Sequence, residues 1–195
     1  MKLTYGWLPQ RSDLGWDFSG IKVSPDTKTR KEEYAFACDS VAEVAAEGGL
    51  NILDAAAGWV PGWHMLPYML ANAGHRVHAV DIDFRSLKMP AHPLVKRELA
   101  DISNLQGCPN KVFDVTLCIS AMEHINPVER TAIYKELVRV TKKRVIFTAD
   151  EATWLPSDLL YLCEQSNIPL QLEREQAEGE MLQPRVMFGV LDLQA

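Results

Sequence analysis

The chain has 195 residues, 47% of them hydrophobic and 24% charged, and carries a formal net charge of −6. That size and balance suit one globular unit with a real core and exclude a disordered, highly charged chain. The acidic balance gives no support for general binding to a nucleic-acid backbone, and no stretch approaches the roughly 18 apolar residues of a membrane-spanning helix.

Taken in order, residues 1–24 carry Tyr5, Trp7, Pro9, Gly15, Trp16, Phe18 and Gly20 and read as an irregular arm that packs on the domain or covers a site. They hold no apolar core of signal-peptide length, so a cytoplasmic protein is expected. Residues 26–47 predict a helix: Asp26 or Thr27 can cap it, Tyr34, Cys38, Val41 and Ala45 share one face, and Gly48 and Gly49 end it. Asn51–Ala55 is a short apolar strand. Residues 61–73 read as a helix stopped by Gly74, then Arg76–Asp81 as a second strand. Residues 83–93 are a short helix or turn broken by Pro90 and Pro93. Further strands are expected at 95–99, 113–119 and 144–148, with a helix over 127–140 joining the last two. After a helix near 156–166, runs at 170–172 and 186–193 close the chain as an antiparallel hairpin. Lys28, Arg30 and Lys31, and Lys142, Lys143 and Arg144, are read as solvated surface charge. Cys38, Cys108, Cys118 and Cys163 include no Cys-x-x-Cys pair and are read as free thiols of a reducing compartment.

Strands alternating with helices predict a doubly wound, mostly parallel sheet, whose ligands bind at the carboxyl ends of the strands. The first strand ends at Asp54 and is followed by Ala55-Ala56-Ala57-Gly58, small residues that let a ligand approach the backbone. The second ends at Asp81, where a carboxylate can accept two hydrogen bonds from a ribose diol. The third is followed by Asp101-Ile102, an acceptor for an exocyclic amine beside an apolar face. A dinucleotide site would need Gly-x-Gly-x-x-Gly. With Gly58 as the middle glycine, Ala56 and Pro61 stand at the other two, and Asp54 would repel a pyrophosphate. A ligand with an ammonium, a sulfonium and a ribose but no phosphate suits these acids better. S-adenosylmethionine is such a ligand.

The sequence resembles class I S-adenosylmethionine-dependent methyltransferases. The resemblance rests on Asn51-Ile-Leu-Asp-Ala-Ala-Ala-Gly58, Val77-His-Ala-Val-Asp-Ile-Asp83, Ala100-Asp-Ile102 and the stretch Phe113 to Ile125. It implies a seven-stranded Rossmann-like sheet with its last strand reversed. It implies that Asp54 and the 56–58 loop, with Ala55, hold the methionine end. Asp81 would take the ribose hydroxyls with Ile82 beside it, Asp101 and Ile102 the adenine, and Ser120 would lie under the cofactor. Residues 1–48 would be an arm and lid helix on a binding domain at 49–195, together one globular unit. The loop departs from the family: Ala56 and Val60 stand where glycines are usual, and alanine at 56 is a small cost if its φ is negative.

Substrate-pocket candidates are Tyr34 on the first helix, Trp59 and Trp154. Core packing is the competing reading for Tyr34 and Trp154, and Trp59 would either line or block the pocket. His124 is the catalytic candidate, a general base at the mouth of the fourth strand, against a structural role for the Glu123-His124 pair. Asp150 and Glu151 read as capping or surface acids. No metal is expected: His75 falls in a turn, His78 in a strand, and Asp81 belongs to the ribose. No motif marks the acceptor, so a small molecule is the default. A non-catalytic protein keeping the fold and, more remotely, a nicotinamide-dependent oxidoreductase are the alternatives. Oligomeric state is not legible.

Overall fold

The computed structural model describes residues 1–7, 27–45, 48–150, 161, 171–174 and 186–193. Its elements run β1 (Lys2–Trp7), α1 (Thr27–Ala42), β2 (Asn51–Ala55), α2 (Leu66–Asn72), β3 (Arg76–Asp81), β4 (Val95–Leu99), β5 (Phe113–Ile119), α3 (Pro127–Val140), β6 (Thr141–Asp150), β7 (Gln171–Arg174) and β8 (Val186–Asp192). A short 3-10 turn spans Phe84–Lys88. The helix read near 156–166 lies outside the described residues apart from Tyr161, as do residues 8–26, Glu151, Trp154 and Cys163.

The strands form one sheet in the order β4-β3-β2-β5-β6-β8-β1-β7. The first five are parallel, and β8 runs antiparallel to β6. The seven strands read from the sequence are therefore present, with the last reversed. The eighth, β1, is a difference: Lys2–Trp7 is not irregular but pairs antiparallel with β8 and parallel with β7. The two closing strands run in opposite directions, as a hairpin's arms do, with β1 lying between them.

Alternate residues of the sheet face two layers, as strand geometry requires. Ile52, Val115, Leu117 and Ile146 pack under Tyr34, Cys38 and Val41 of α1 and Leu66 and Leu70 of α2. Leu53, Cys118, Val145 and Phe147 face Ile133, Tyr134, Leu137 and Val140 of α3. α3 begins where the sequence places it because Asn126 caps it, its side chain accepting from Val128 N–H at 3.3 Å, with Pro127 in the first turn. Among the described residues, the binding end of the sheet is thus fixed between a layer of two helices and a layer of one.

Candidate functional site

The loop leaving β2 turns back at once. Ala56 has φ 61° and Gly58 φ 70°, both in the left-handed region. The condition for a cheap alanine at 56 is therefore not met: Ala56 adopts the backbone a glycine would, at a cost of roughly 1–2 kcal/mol. Between them Ala57 N–H donates to Val80 O at 2.9 Å, pinning the loop to β3. Gly58 N–H donates to Asp81 Oδ2 at 2.8 Å, and Gly58 O accepts from Arg97 Nη1 at 3.1 Å. A Cβ at Gly58 would overlap the His64 imidazole, so only glycine fits. His64 Nδ1 in turn accepts from Val60 N–H at 2.8 Å. This folded turn explains why α2 starts at Leu66 and not at 61.

Above the carboxyl ends of β2, β3, β4 and β5 lies a cleft of about 550 Å³, within the usual range for small-molecule sites. It gathers most of the residues singled out in the sequence: Ala56, Gly58, Trp59, Asp81, Ile82, Asp101, Ile102, Ser120 and His124. Asp81 Oδ1 accepts from Asp83 N–H at 2.8 Å and Oδ2 from Gly58 N–H. Each oxygen so keeps further lone-pair capacity. Ile82 is 75% exposed on the cleft wall, an apolar side chain awaiting cover. Asp101 Oδ1 accepts from Ser103 N–H at 2.8 Å and Ser103 Oγ at 2.7 Å, and Ile102 is buried beside it. Trp59 forms part of the wall and leaves the cleft open. Arg85 lies 3.5 Å from its ring centroid and is itself held by both oxygens of Asp83.

Three expected positions fall elsewhere. Ala55 is fully buried in the α3-side core and contributes no side chain to the cleft. Tyr34 is buried, its hydroxyl donating to Trp63 O at 2.8 Å, so it is not on the cleft wall. With Asp54 it lines a separate hollow of about 30 Å³ that shares Arg30, Ala56, His64 and Ser120 with the cleft. Trp154 lies outside the described residues, and of Asp150 only the backbone is described.

Asp54 is buried beside that hollow, and burial, then the nearby Asp81 carboxylate, push its carboxyl up to about 7 against the pull of Arg97 and Arg30. Burial, with Arg30 and Arg97 close by, lowers His64 to about 4, so its imidazole is neutral. Ser120, with φ 46°, donates its hydroxyl to Glu33 Oε1, which also accepts from Thr148 Oγ1 at 2.6 Å. Glu33 pairs with Arg30 at 3.3 Å. Burial likewise raises Glu123, whose Oε2 has no hydrogen-bond partner. The remaining histidines are used structurally: His75 Nδ1 accepts from Leu50 N–H at 3.1 Å, His78 pairs with Glu98 at 2.9 Å, and His92 Nδ1 accepts from Leu94 N–H at 3.2 Å.

Arg30, His64, Ile125, Glu129 and Ile133 also line the cleft without having been singled out for it. Glu129 and Ile133 are one turn apart at the start of α3, a spacing that carries a signal. Nothing local to Arg30 or His64 shows that the fold brings them to β2.

Residues 53–149 match the family described as a methyltransferase domain. No curated protein sequence matches the chain. Among solved structures, a protein from Pyrococcus horikoshii OT3 is similar with TM-score 0.61 at 16% identity, over 87% of this chain and 92% of its own. Magnesium protoporphyrin IX methyltransferase from Synechocystis PCC 6803, solved with bound S-adenosylmethionine, gives 0.58 at 17%, over 89% and 87%. The 1,6-didemethyltoxoflavin-N1-methyltransferase of Burkholderia thailandensis, solved with 1,6-didemethyltoxoflavin and S-adenosylhomocysteine, gives 0.61 at 15%, over 86% and 79%. At these identities the likeness is one of fold.

Proposed function

Since the chain belongs, through residues 53–149, to the methyltransferase domain family, we propose that its cleft binds S-adenosylmethionine and presents the methyl group to a small-molecule acceptor. The observation that carries this is Asp81: a buried carboxylate at the end of β3, anchored by two backbone N–H groups and facing a cleft walled by Ile82, Asp101 and Ile102. When bound, the cofactor supplies an electrophilic methyl on a sulfonium.

The chain's own residues bind and orient. The spare lone pairs of Asp81 suit a ribose diol, which no phosphate-binding loop would need. Ile82 and Ile102 suit the faces of an adenine, with Asp101 as acceptor for its amine. Asp54 and Arg30, of opposite charge and sharing one hollow, match an amino acid's ammonium and carboxylate. The leaving group is already good, so the protein's task is to position the acceptor and exclude water. His124, exposed on the cleft wall, is the group we assign to take a proton where the acceptor carries one.

Two proteins of the same fold are named for small-molecule acceptors, a protoporphyrin and a toxoflavin precursor, which supports the same class here. The chain's acidity points the same way.

Calorimetric titration with S-adenosylhomocysteine tests the reading. Asp81→Ala should weaken binding by about 1.5–3 kcal/mol, the loss of hydrogen bonds to a charged group. Absence of wild-type binding at millimolar ligand, or an unchanged affinity in the variant, would sink it.

A further inference from the structure

Arg97 is a charged side chain on the edge strand that does not behave as a surface charge. Its neighbours on β4, Lys96 and Glu98, are exposed and pair with each other at 2.7 Å. Arg97 instead turns inward. Its guanidinium lies 5.5 Å from the centroid of the Tyr68 ring on α2, and its Nε and Nη2 are buried with no hydrogen-bond partner among the described residues. Leaving two guanidinium donors unsatisfied is costly, and no ion pair among the described residues offsets it.

The sheet register shows what this cation is aimed at. Asp54 pairs with Ala79, and Ala79 with Arg97, across three parallel strands. Residues in register on parallel strands point to the same face. Ala79, whose side chain is a single methyl, stands between the acid and the base on that face and leaves room for the long Arg97 side chain. Its Nη1 donates to Gly58 O, whose own N–H is held by Asp81. The Gly58 peptide is therefore gripped at both ends, by β3 and by β4, in the loop that already carries left-handed strain at Ala56.

We propose that Arg97 is a positioning residue for the cofactor cleft, holding the Gly58 peptide from beneath and acting across Ala79 as the counter-charge that keeps Asp54 able to ionise. The assignment rests on reading the cleft as the S-adenosylmethionine site. Asp54 is faced by Arg30, Tyr34 and Cys38 of α1, His64 of the loop, Asp81 of β3 and Arg97, while Cys118 of β5 lies on the opposite side of the sheet. Of these, the cations are Arg30 and Arg97, and Arg97 has the larger effect on Asp54. Arg30 also pairs with Glu33, so its charge is shared between two acids, and Arg97 is the stronger of the two cations opposing burial at Asp54.

The test reads Asp54 in the ligand-free protein, by carbon NMR of its carboxyl through a pH titration, in wild type, Arg97→Gln and Arg97→Lys. Loss of a charge about 9 Å away at an effective dielectric near 20 is expected to move the Asp54 midpoint up by about one pH unit in the glutamine variant. Lysine keeps the charge and should leave the midpoint in place. It loses the bond to Gly58 O, so S-adenosylhomocysteine should bind several-fold more weakly. An unmoved midpoint in Arg97→Gln overturns the proposal. Should that variant not fold, Arg97→Lys decides: a displaced midpoint with wild-type affinity overturns it equally. Failure of wild type to bind S-adenosylhomocysteine would instead remove the cofactor reading, and the titration without ligand separates the two outcomes.

Discussion

Asp54 carries an acid in surroundings that resist its charge. Burial sets its midpoint near 7, so at neutral pH about half of the molecules hold it protonated. A ligand ammonium beside it favours the ionised form, and binding must then expel the proton below that midpoint. Affinity for S-adenosylhomocysteine should climb up to about ten-fold per pH unit below 7 and flatten above it. It should fall again at higher pH, where the ligand's own amino group loses its proton. Calorimetry from pH 5.5 to 9 checks this, and Asp54→Asn should abolish the climb. The stability sign runs the other way. An acid raised from 3.8 to about 7 costs the folded state progressively as pH rises between those values. Asp54→Asn should therefore stabilise the ligand-free protein at pH 8 by roughly 2–4 kcal/mol while weakening binding. A destabilised variant would mean that Asp54 is already satisfied without ligand. The residue type and its place at a strand end were legible in the sequence. The raised midpoint was not, because it comes from burial and from Asp81, opposed by Arg97 and Arg30, all brought together only by the sheet and α1.

At the scale of elements, α1 is tied to the sheet by a polar knot as well as by its apolar face. Glu33 is buried, accepting from Ser120 and Thr148 at the ends of β5 and β6 and pairing with Arg30 on its own helix. Removing the acid leaves two hydroxyls and a guanidinium without their partner. Glu33→Ala should lower stability by about 2–4 kcal/mol, read from the midpoint of urea unfolding. A loss under about 0.5 kcal/mol would show that water replaces the knot and that α1 is held by its apolar contacts alone. Helix and strand boundaries were legible where local chemistry sets them, as at Asn126-Pro127. α2 was read five residues too early because Pro61 suits a first helical turn, but 61–65 is folded by His64 onto Val60. β1 was missed although Leu3, Tyr5 and Trp7 alternate with Lys2, Thr4 and Gly6, because the segment is short and its partners lie at the far end of the chain, where pairing leaves no local trace.

The molecule divides by strand position. The cleft is built on β4, β3, β2 and β5, whereas β1 sits beyond β6 and β8 at the other side of the sheet. Leu3, which pairs with Leu191 of β8, is fully buried in the α3-side core. Its truncation should behave like other buried leucine truncations and cost about 2–5 kcal/mol. The consequence reaches further than one cavity. β1 is the strand through which β7 joins the sheet, since β7 pairs with β1 and not with β8. Leu3→Ala should therefore loosen β7 along with β1, seen as faster amide exchange over 2–7 and 171–174 than over β2 and β3. The cleft strands share no direct pairing with β1, so affinity for S-adenosylhomocysteine in the folded variant should stay within about two-fold of wild type, as expected for distant sites. Stability lost with affinity kept marks β1 as a clasp on the sheet's closing half. Affinity lost in step with stability would instead mean that the cleft and the closing strands are one coupled unit, with β6, which touches both halves through β5 and β8, as the element that transmits the change.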